Sequence, residues 1–486
     1  MILGVLARHT AERGDRVFLR HEGRAVTYAA FDALSNRAAN ALRARGVEPG
    51  DVVTLGLGNG VEYVTAAFGA LKAGAILHPI NPALGAAELG YVVGHAAPRV
   101  VVTDAASDAK LRGFGAGTVA GDALVAHPDA SAPGVAIHPD DYSTLLYTSG
   151  TTGKPKGVLF THGRTGTSGP HFIEALHLRP DDTILAVTPL FHGNAWGAVV
   201  TALHAGGTAA FPKTFSATEF WPLVHETGAT VVYTLGTVLA MLLTREPSAL
   251  ETTNPLRVIL GLGSAAIRER VVARFGVEAV LECFGSTDAG VVTIEPLGQP
   301  PRPGSCGPPV PGVRLRVLDD AGNPLPPRQV GEIAVHSPAR MAAYFKDPEA
   351  TAAALRDGWF LSGDLGYLDE DGWLYFVDRK RDVIRRGGEN VSSVLVEKTL
   401  REHPQVADAA VIGVPDPVLG QEIMAFVVPK GAVTAEALEA FCRERLAKFQ
   451  VPRRWELRAD LPRTPTQRVE KYKLRAEAGG GRPTLG

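Results

Sequence analysis

The sequence predicts an α/β protein in which stacked layers of sheet and helix form a large N-terminal domain. Apolar, β-rich runs alternate with Ala- and Leu-rich segments of helical spacing, of which residues 31–45 are one example. Such alternation is typical of a mostly parallel sheet covered by helices. The apolar runs that we expect to be strands lie at 52–57, 99–103, 183–190, 230–235 and 257–263.

Two later parts of the chain predict a different architecture. Residues 305–378 contain short strand-like segments separated by polar turns, which indicates an antiparallel β subdomain beside the layers. After the charged run Asp378–Asp382 the chain has a helical segment, two strand-like segments and a second helical segment. This order predicts a small α+β domain.

Composition excludes several classes of protein. The chain has 486 residues, of which 45% are hydrophobic and 21% charged, as in ordinary globular enzymes. Its formal net charge of −2 gives no electrostatic footprint for nucleic acid or for an anionic membrane. The three cysteines form no CxxC or Cys/His cluster, which argues against a disulfide framework and a zinc site. We also find no secretory signal and no apolar stretch of bilayer length, so we expect a cytoplasmic protein without a transmembrane segment.

The most informative segment is the loop YTSGTTGKPKG, which runs from Tyr147 to Gly157. Its glycines allow positive φ angles and expose backbone N–H groups, and its hydroxyls and lysines suit phosphate oxygens. The spacing does not fit the GxxxxGK[ST] phosphate loop, because Gly150 and Gly153 enclose only two residues. A polar surface turn is the usual explanation for such a composition, but the length of this run favours an ATP site. The residues predicted to bind phosphate are Thr148, Ser149, Gly150, Thr151, Thr152, Gly153, Lys154 and Lys156.

Five further motifs accompany this loop: PLFHGN (189–194), CFGSTD (283–288), GWFLSGDLG (358–366), DRKRDVIRRGGENV (378–391) and LPRTPTQRVEKYKLR (461–475). With the loop, and in this order, they resemble the adenylate-forming superfamily of acyl-CoA synthetases, peptide-synthetase adenylation domains and luciferases. The resemblance runs nearly end to end. It implies an ATP-dependent acid–thiol ligase that forms acyl-AMP with release of pyrophosphate and then transfers the acyl group to CoA. The implied cofactors are ATP, Mg²⁺ and CoA.

The resemblance also assigns the nucleotide site. It places the β- and γ-phosphates of ATP on the loop, with Thr152 and Lys154 acting in catalysis. It places the ribose hydroxyls on Asp364 and Arg379, an acceptor and a donor that suit a diol. The residues implied for the adenine side are Gly263, Ser264, Ala265, Phe284, Gly285, Ser286 and Thr287.

The sequence departs from the family pattern at the residue expected to bind Mg²⁺. The family has a glutamate at the end of its YGxTE motif, whereas this chain reads FGSTD and has Asp288 there. A hard cation that keeps most of its waters is compatible with the shorter carboxylate, with Thr151 or Thr152 nearby. Without the resemblance, Asp288 would be interpreted as a turn or helix-cap residue.

A second departure concerns the C-terminal residue that bridges the substrate carboxylate and the ribose. The family pattern PRTxxGK supplies a lysine, whereas this chain reads PRTPTQR and has Arg468. A guanidinium can bind a carboxylate bidentately, so Arg468 is the candidate catalytic residue. Three alternatives stay open: Lys471 or Lys473 substitutes, the first half-reaction is slow, or the substrate is not an ordinary carboxylic acid.

The resemblance predicts a mobile cap and a second half-reaction. The charged run, by composition a solvated turn, becomes a hinge near 379–381 with Arg381 as its pivot. It separates an AMP-binding domain, 1–380, from a C-terminal cap domain, 381–486. Gly387 and Gly388 would line the pantetheine tunnel, and Arg385 or Arg386 would lie near the thioester-forming site. His192 would border the acyl pocket, although a lone histidine among apolar residues is more often a packed core residue.

The leading hypothesis is therefore an acyl-CoA synthetase acting on a small or medium acid. Candidate pocket residues, Trp196 and the segments 234–237 and 260–264, are apolar or small, which hints at an apolar or aromatic acid. One alternative is an adenylating enzyme that passes the acyl group to a carrier protein or an amine, and light emission is a weak third. A different class of alternative is a nucleotide-binding homologue that no longer catalyses.

Overall fold

The computed structural model describes residues 1–115, 117–148, 155–264, 267–387, 389–463 and 469–478. The chain divides into two compact units. The body unit consists of Met1–Leu315 and Val335–Leu361, and the C-terminal unit of Arg316–Ala334 and Ser362–Gly486. The hinge near 379–381 and the boundary between residues 380 and 381 stay predictions.

The first part of the body unit alternates helices and strands. Its helices are α1 Ile2–Arg13, α2 Tyr28–Ala44, α3 Val61–Lys72, α4 Ala86–Ala96, α5 Asp108–Leu111, α6 Gly121–Val125, α7 Ser168–Ala175, α8 Gly193–Ala205, α9 Phe220–Thr227, α10 Gly236–Leu243, α11 Ala249–Thr252 and α12 Arg268–Phe275. Its strands are β1 Val17–His21, β2 Arg24–Thr27, β3 Val52–Gly56, β4 Ile76–Pro79, β5 Val100–Thr103, β6 Thr118–Ala120, β7 Tyr142–Thr148, β8 Lys156–Thr161, β9 Thr183–Ala186, β10 Thr208–Ala210, β11 Val231–Leu235, β12 Val258–Leu262, β13 Ala279–Leu281, β14 Cys283–Ser286 and β15 Gly290–Ile294.

The remaining elements are shorter in the middle of the chain and longer near its C-terminal end. The strands are β16 Arg314–Leu318, β17 Gly331–His336, β18 Ala343–Tyr344, β19 Leu355–Arg356, β20 Trp359–Leu368, β21 Leu374–Arg379, β22 Ile384–Arg386, β23 Glu389–Val391, β24 Val406–Asp416, β25 Gly420–Pro429 and β26 Arg454–Leu457. The helices are α13 Pro348–Ala354, α14 Ser393–Arg401, α15 Ala435–Arg443 and α16 Lys471–Ala478, with a short 3-10 turn at Lys448–Gln450.

Two seven-stranded sheets form the centre of the body unit. One has the order β13-β12-β11-β9-β10-β1-β2 and the other β18-β8-β7-β4-β3-β5-β6. In the first sheet all neighbours are parallel except β1 and β2. In the second sheet, β8 pairs antiparallel with both β7 and β18, and all other neighbours are parallel. The predicted α/β class with a mostly parallel, helix-covered sheet is confirmed.

The apolar sequence 195–211 shows how local pattern produces these layers. It forms helix α8, whose apolar residues Ala198, Val199 and Leu203 are buried. The helix ends at Gly206, which has a φ of 70° that suits glycine, and strand β10 follows directly. Among the described residues, no helix is long and apolar enough to span a membrane.

The antiparallel pattern predicted for 305–378 is present in the strands that pair there. Strand β20 pairs antiparallel with β19 and with β21. The turn between β20 and β21 is closed by the Asp369 carboxylate, which accepts hydrogen bonds from the backbone N–H groups of Asp371 and Trp373. Gly372 in the same turn has a φ of 80°, so the Asp–Gly chemistry of the sequence specifies this hairpin.

The C-terminal unit has a five-stranded sheet in the order β23-β22-β25-β24, with β26 pairing parallel to β25. Side chains of β24 and β25 alternate between the two faces. Val411 and Ala425 contribute to one apolar cluster, whereas Ile412 and Phe426 contribute to the other. Both faces of the sheet are therefore covered, and the predicted α+β unit is confirmed.

A buried histidine in the second body sheet makes folding pH-dependent. His78 on β4 is fully buried, and its Nδ1 lies 2.8 Å from Oγ1 of Thr54 on β3. Burial lowers the pKa of His78 to about 3, whereas an unfolded chain titrates near about 6.5. As the pH falls below that value, the unfolded state binds a proton that the folded state does not. The free energy of unfolding therefore decreases on acidification.

We expect the wild-type free energy of unfolding to fall more steeply than that of His78→Gln, by up to about 1.4 kcal/mol per pH unit below pH 6. Urea unfolding at a series of pH values between 7.5 and 4.5, about three units, measures this slope. The exposed His138, changed to glutamine, is the matched control and should keep the wild-type slope. Equal slopes for wild type and His78→Gln would contradict the expectation.

Candidate active site

The first body sheet gathers several predicted residues at one edge. Strands β9, β11, β12 and β13 are parallel neighbours, so their carboxyl ends meet at the same edge, where ligands bind in open α/β sheets. His192 follows β9, the 263–264 turn follows β12, and Phe284 follows β13. The sheet therefore places the predicted acyl-pocket histidine and the predicted adenine-lining residues at a common edge.

The 263–264 turn is held by a buried carboxylate that the sequence analysis missed. Glu282 is 4% exposed and accepts hydrogen bonds from the backbone N–H groups of Gly263 and Ser264 and from the Ser264 hydroxyl. Burial raises the pKa of Glu282, and these hydrogen bonds oppose the rise. Gly263 has a φ of 76°, which explains its glycine. A signal was available, since Glu282 directly precedes the CFGSTD motif. Ala265 lies outside the described residues.

Strands β14 and β15 form a hairpin that carries the FGSTD residues. Gly285 packs so closely that a Cβ atom there would lie 2.5 Å from the carbonyl oxygen of Gly290. Ser286 accepts a hydrogen bond at Oγ from the backbone N–H of Ala289, at 3.1 Å, which fixes the turn containing Thr287 and Asp288. Gly285 and Ser286, predicted to bind nucleotide, thus also have structural roles in the hairpin.

Asp288 and Lys156 meet at one aromatic side chain, Tyr344, which the sequence analysis also missed. The Tyr344 hydroxyl donates a hydrogen bond of 2.7 Å to Oδ1 of Asp288. The Nζ of Lys156 lies 5.0 Å from the centre of the Tyr344 ring, within the range of a cation–π interaction. Burial and the Asp288 charge both raise the pKa of Tyr344, so its hydroxyl keeps the proton that it donates.

The two ends of the predicted phosphate loop are fixed by strand pairing. Thr148 and Lys156 are Cα partners in the β7–β8 ladder, so the loop leaves and re-enters the sheet at one point. Tyr147 is the first residue of the loop, and its hydroxyl lies 2.7 Å from Nδ1 of His95 on α4. The predicted ligands Ser149, Gly150, Thr151, Thr152, Gly153 and Lys154 lie outside the described residues.

His192 has a defined structural role at the start of α8. Its Nδ1 accepts a hydrogen bond of 3.3 Å from the backbone N–H of Asn194, so the imidazole caps the helix. Burial lowers the pKa of His192, which favours the neutral ring. Trp196, one turn further along α8, makes an edge contact with the ring of Tyr63 and a tilted contact with the ring of Phe68, both on α3. The functional role of His192 stays a prediction.

The predicted ribose-binding pair lies in the C-terminal unit. Asp364 on β20 and Arg379 on β21 are Cα partners in the ladder. The Nε of Arg379 lies 3.7 Å from Oδ1 of Asp364, and the two side chains are 29% and 14% exposed. Burial lowers the pKa of Arg379 and the Asp364 charge opposes this. A largely buried carboxylate and guanidinium are therefore held side by side.

The predicted cap residues show a clear contrast between two neighbouring arginines. Arg386 is paired with Glu422, with contacts of 2.5 and 2.8 Å, whereas Arg385 on the same strand is exposed. Gly387 has a φ of 59° and its backbone N–H donates to the carbonyl of Leu419. Arg381 is also exposed. Gly388 and Arg468 lie outside the described residues.

The two lysines proposed as substitutes for Arg468 are both engaged in ion pairs. The Nζ of Lys471 lies 2.6 Å from the Ser393 hydroxyl and 2.7 Å from Oε1 of the buried Glu397. The Nζ of Lys473 lies 2.5 Å from a carboxylate oxygen of Glu470. Lys471 is thus anchored at the N-terminus of α14, and the identity of the bridging residue stays a prediction.

Two family models match the chain. Residues 6–345 match the AMP-binding enzyme family, and residues 395–468 match the AMP-binding enzyme C-terminal domain. The chain belongs to the AMP-binding enzyme family. This membership confirms the resemblance seen in the motifs.

Relatives and solved structures agree with this assignment across nearly the whole length of the AMP-binding enzyme. It is 35% identical to a sulfoacetate–CoA ligase of Cupriavidus necator, with 97% of each chain covered. It is 34% identical to an oxalate–CoA ligase of Arabidopsis thaliana, with 92% of each chain covered. ATP-bound MatB from Rhodopseudomonas palustris superposes with a TM-score of 0.91 at 30% identity, covering 98% of this chain and 99% of that one. The predicted class of enzyme, an ATP-dependent ligase that forms acyl-CoA, is confirmed.

The described residues fit a magnesium ion of the kind predicted for this AMP-binding enzyme. Among them, no group of three or more His, Cys, Asp or Glu side chains is arranged to hold a metal. Mg²⁺ does not require such a cage, since it is commonly bound by one or two carboxylates together with waters and substrate phosphates. Asp288, whose carboxylate accepts a hydrogen bond from Tyr344 beside Lys156, would supply the one carboxylate that this mode of binding needs.

Proposed function

We propose that this AMP-binding enzyme activates a small or medium carboxylic acid as its acyl-adenylate and transfers the acyl group to CoA. A carboxylate oxygen attacks the α-phosphorus of ATP, the bond to the β-phosphate breaks, and pyrophosphate leaves. The sulfur of CoA then attacks the acyl carbon, and AMP leaves while the thiol proton is lost to solvent. The observation that carries the proposal is that Lys156, at the end of the phosphate loop, and Asp288 both contact the side chain of Tyr344.

The chemistry brings together two anions, the carboxylate of the acid and the polyphosphate of ATP. Charged side chains are available to neutralise the polyphosphate. Lys154 and Lys156 would face the phosphates, and Mg²⁺, when bound, would offset the charge of the phosphate oxygens. Asp288 would hold the ion. Electrostatic stabilisation of this kind acts most strongly where it is pre-organised, as the Tyr344 contacts provide for Asp288 and Lys156.

In the C-terminal unit, the carboxylate of Asp364 would accept hydrogen bonds from the ribose hydroxyls and Arg379 would donate to them. Arg468 would bridge the acid and the ribose during adenylation. Arg385, which is exposed, would act in the second half-reaction. Movement of the cap domain, 381–486, between the two steps, with Arg381 as the pivot, is part of the proposal.

The size of the acid is the second part of the proposal. Trp196 lies in the first turns of α8 and contacts the rings of Tyr63 and Phe68, so a large side chain would border the predicted acyl pocket. This supports a short acid over a long-chain fatty acid. Two relatives are named for sulfoacetate and oxalate, which are short acids with two anionic groups. A cytoplasmic location also belongs to the proposal.

Acid-dependent exchange of labelled pyrophosphate into ATP tests the proposal directly. The panel should contain short mono- and dianionic acids, aromatic acids, long-chain acids and amino acids. We expect exchange with short acids, AMP as the nucleotide product, and AMP release that becomes rapid on addition of CoA. If exchange occurs but the acyl group is transferred only to a carrier protein or an amine, that molecule and not CoA is the acceptor. ATP binding without exchange for any acid, or ADP as the product, would overturn the proposal.

A further inference from the structure

The 341–345 segment, which no motif included, connects the two charged groups of the site. Its backbone N–H groups at Met341 and Phe345 donate to the carbonyls of Asp288 and Gly157, each at 2.7 Å. Between them, Ala343 and Tyr344 pair with Leu159 and Val158 of β8. One short strand is therefore hydrogen-bonded both to the Asp288 turn and to the strand that begins at Lys156.

Within this segment, the Tyr344 side chain contacts both charged groups at once. The hydroxyl donates to Oδ1 of Asp288 at 2.7 Å, and the ring lies under Nζ of Lys156 at 5.0 Å. A carboxylate is an acceptor only, so the direction of this hydrogen bond is fixed. Hydrogen bonds to an ionised group are roughly twice as strong as neutral ones, so the contact restricts the rotation of Asp288.

We propose that Tyr344 is a positioning residue that orients Asp288 for Mg²⁺ through its hydroxyl and Lys156 for phosphate oxygens through its ring. The inference rests on the proposed function. Such positioning is needed because the side chain of Asp288 is short and has few rotamers from which it can reach an ion. Groups that hydrogen-bond to a metal-binding carboxylate fix its orientation, and their loss typically costs ten- to a hundredfold in metal affinity, roughly.

The experiment compares ATP binding by calorimetry in EDTA and in excess Mg²⁺. The Mg²⁺ gain is defined as the dissociation constant of ATP in EDTA divided by that in excess Mg²⁺. It reports the contribution of the metal without any need for turnover. Tyr344→Phe removes only the hydroxyl, so we expect the Mg²⁺ gain to fall about tenfold while the affinity in EDTA stays within about twofold of wild type. Tyr142→Phe is the matched control, because Tyr142 is an exposed tyrosine that lines a cavity of about 450 Å³ together with Tyr344, and it should keep the wild-type gain.

Two further variants separate positioning from a general structural effect. Tyr344→Leu also removes the ring, so we expect an additional loss of ATP affinity in EDTA, where only Lys156 is affected. In Asp288→Asn, adding Tyr344→Phe should lower the Mg²⁺ gain no further, since both changes act on one carboxylate. The thermal midpoint of Tyr344→Phe should lie close to that of wild type.

The outcomes distinguish the inference from the proposed function. A Mg²⁺ gain in Tyr344→Phe equal to that of wild type would overturn the inference while leaving the proposed ligase in place. Additive losses in the Asp288→Asn and Tyr344→Phe double variant would also overturn it. A wild-type protein that binds no ATP under either condition would instead overturn the proposed function.

Discussion

Replacing Arg468 with alanine is expected to reduce acid-dependent pyrophosphate exchange by about a hundredfold, the usual cost of losing one pre-organised transition-state donor. The guanidinium is the candidate bridge between the attacking carboxylate and the ribose, so its removal leaves an anion facing the α-phosphate without a counter-charge. Because the bridge acts in adenylation, the reduction should appear in the first half-reaction. The exchange rate at saturating acid and ATP measures it.

Two further variants show whether the loss belongs to this position. Arg468→Lys restores a point charge of the family type and should retain or improve exchange. Lys473→Ala changes a half-exposed lysine whose ammonium pairs with Glu470, and it should leave exchange near the wild-type rate. Unchanged exchange in Arg468→Ala would show that another residue bridges the substrates. Lys471 would then need re-examination despite its contacts with Ser393 and Glu397.

Replacing Asp364 with alanine is expected to weaken ATP binding by about a hundredfold, or about 2.7 kcal/mol. The carboxylate would accept hydrogen bonds from both ribose hydroxyls, and it also offsets the burial of Arg379, whose Nε lies 3.7 Å away. Its loss removes these acceptors and leaves a buried guanidinium without its neighbour. Calorimetric titration with ATP measures the change in dissociation constant.

Asp364→Asn keeps one acceptor oxygen and should give an intermediate affinity. The matched control is Asp320→Ala, which removes the same group from an exposed side chain that pairs with Lys380 at the surface. Surface pairs of this kind contribute little, so ATP affinity should not change. If Asp364→Ala lowered only the melting temperature and left ATP affinity intact, Asp364 would be a structural partner of Arg379 and not a nucleotide ligand.

Much of the fold was predictable because its determinants are local. The alternation of apolar runs and helical patterns predicted the parallel sheets, and the polar turns of 305–378 predicted the antiparallel strands there, which include β20 and β21. The apolar sequence 195–211 likewise forms the helix α8 and the strand β10 directly from its local pattern. In each case the spacing of apolar residues along the sequence matches the geometry of the helix or strand that they form.

The site was predictable only where its residues lie in motifs. Asp364 and Arg379 come from different motifs and are brought together by strand pairing. Tyr344 and Glu282 were missed because their partners are distant in sequence. The Tyr344 hydroxyl reaches Asp288 across 56 positions, and Glu282 reaches Ser264 across 18. Spacing within a motif carries no information about such contacts, which arise from the register of the sheets.

The double-sided interior of the C-terminal sheet has a mechanical consequence. Apolar side chains of β24 and β25 are covered on both sides by residues of the same unit, including Val396 and Leu438 on one side and Leu461 and Leu474 on the other. Close-packed interiors resist deformation, so this sheet and the helices that cover it, all of which follow Arg381, can travel as a rigid piece. Asp364 and Arg379 precede the pivot proposed at Arg381, so this pair would stay with the nucleotide sugar while that piece moves between the two half-reactions.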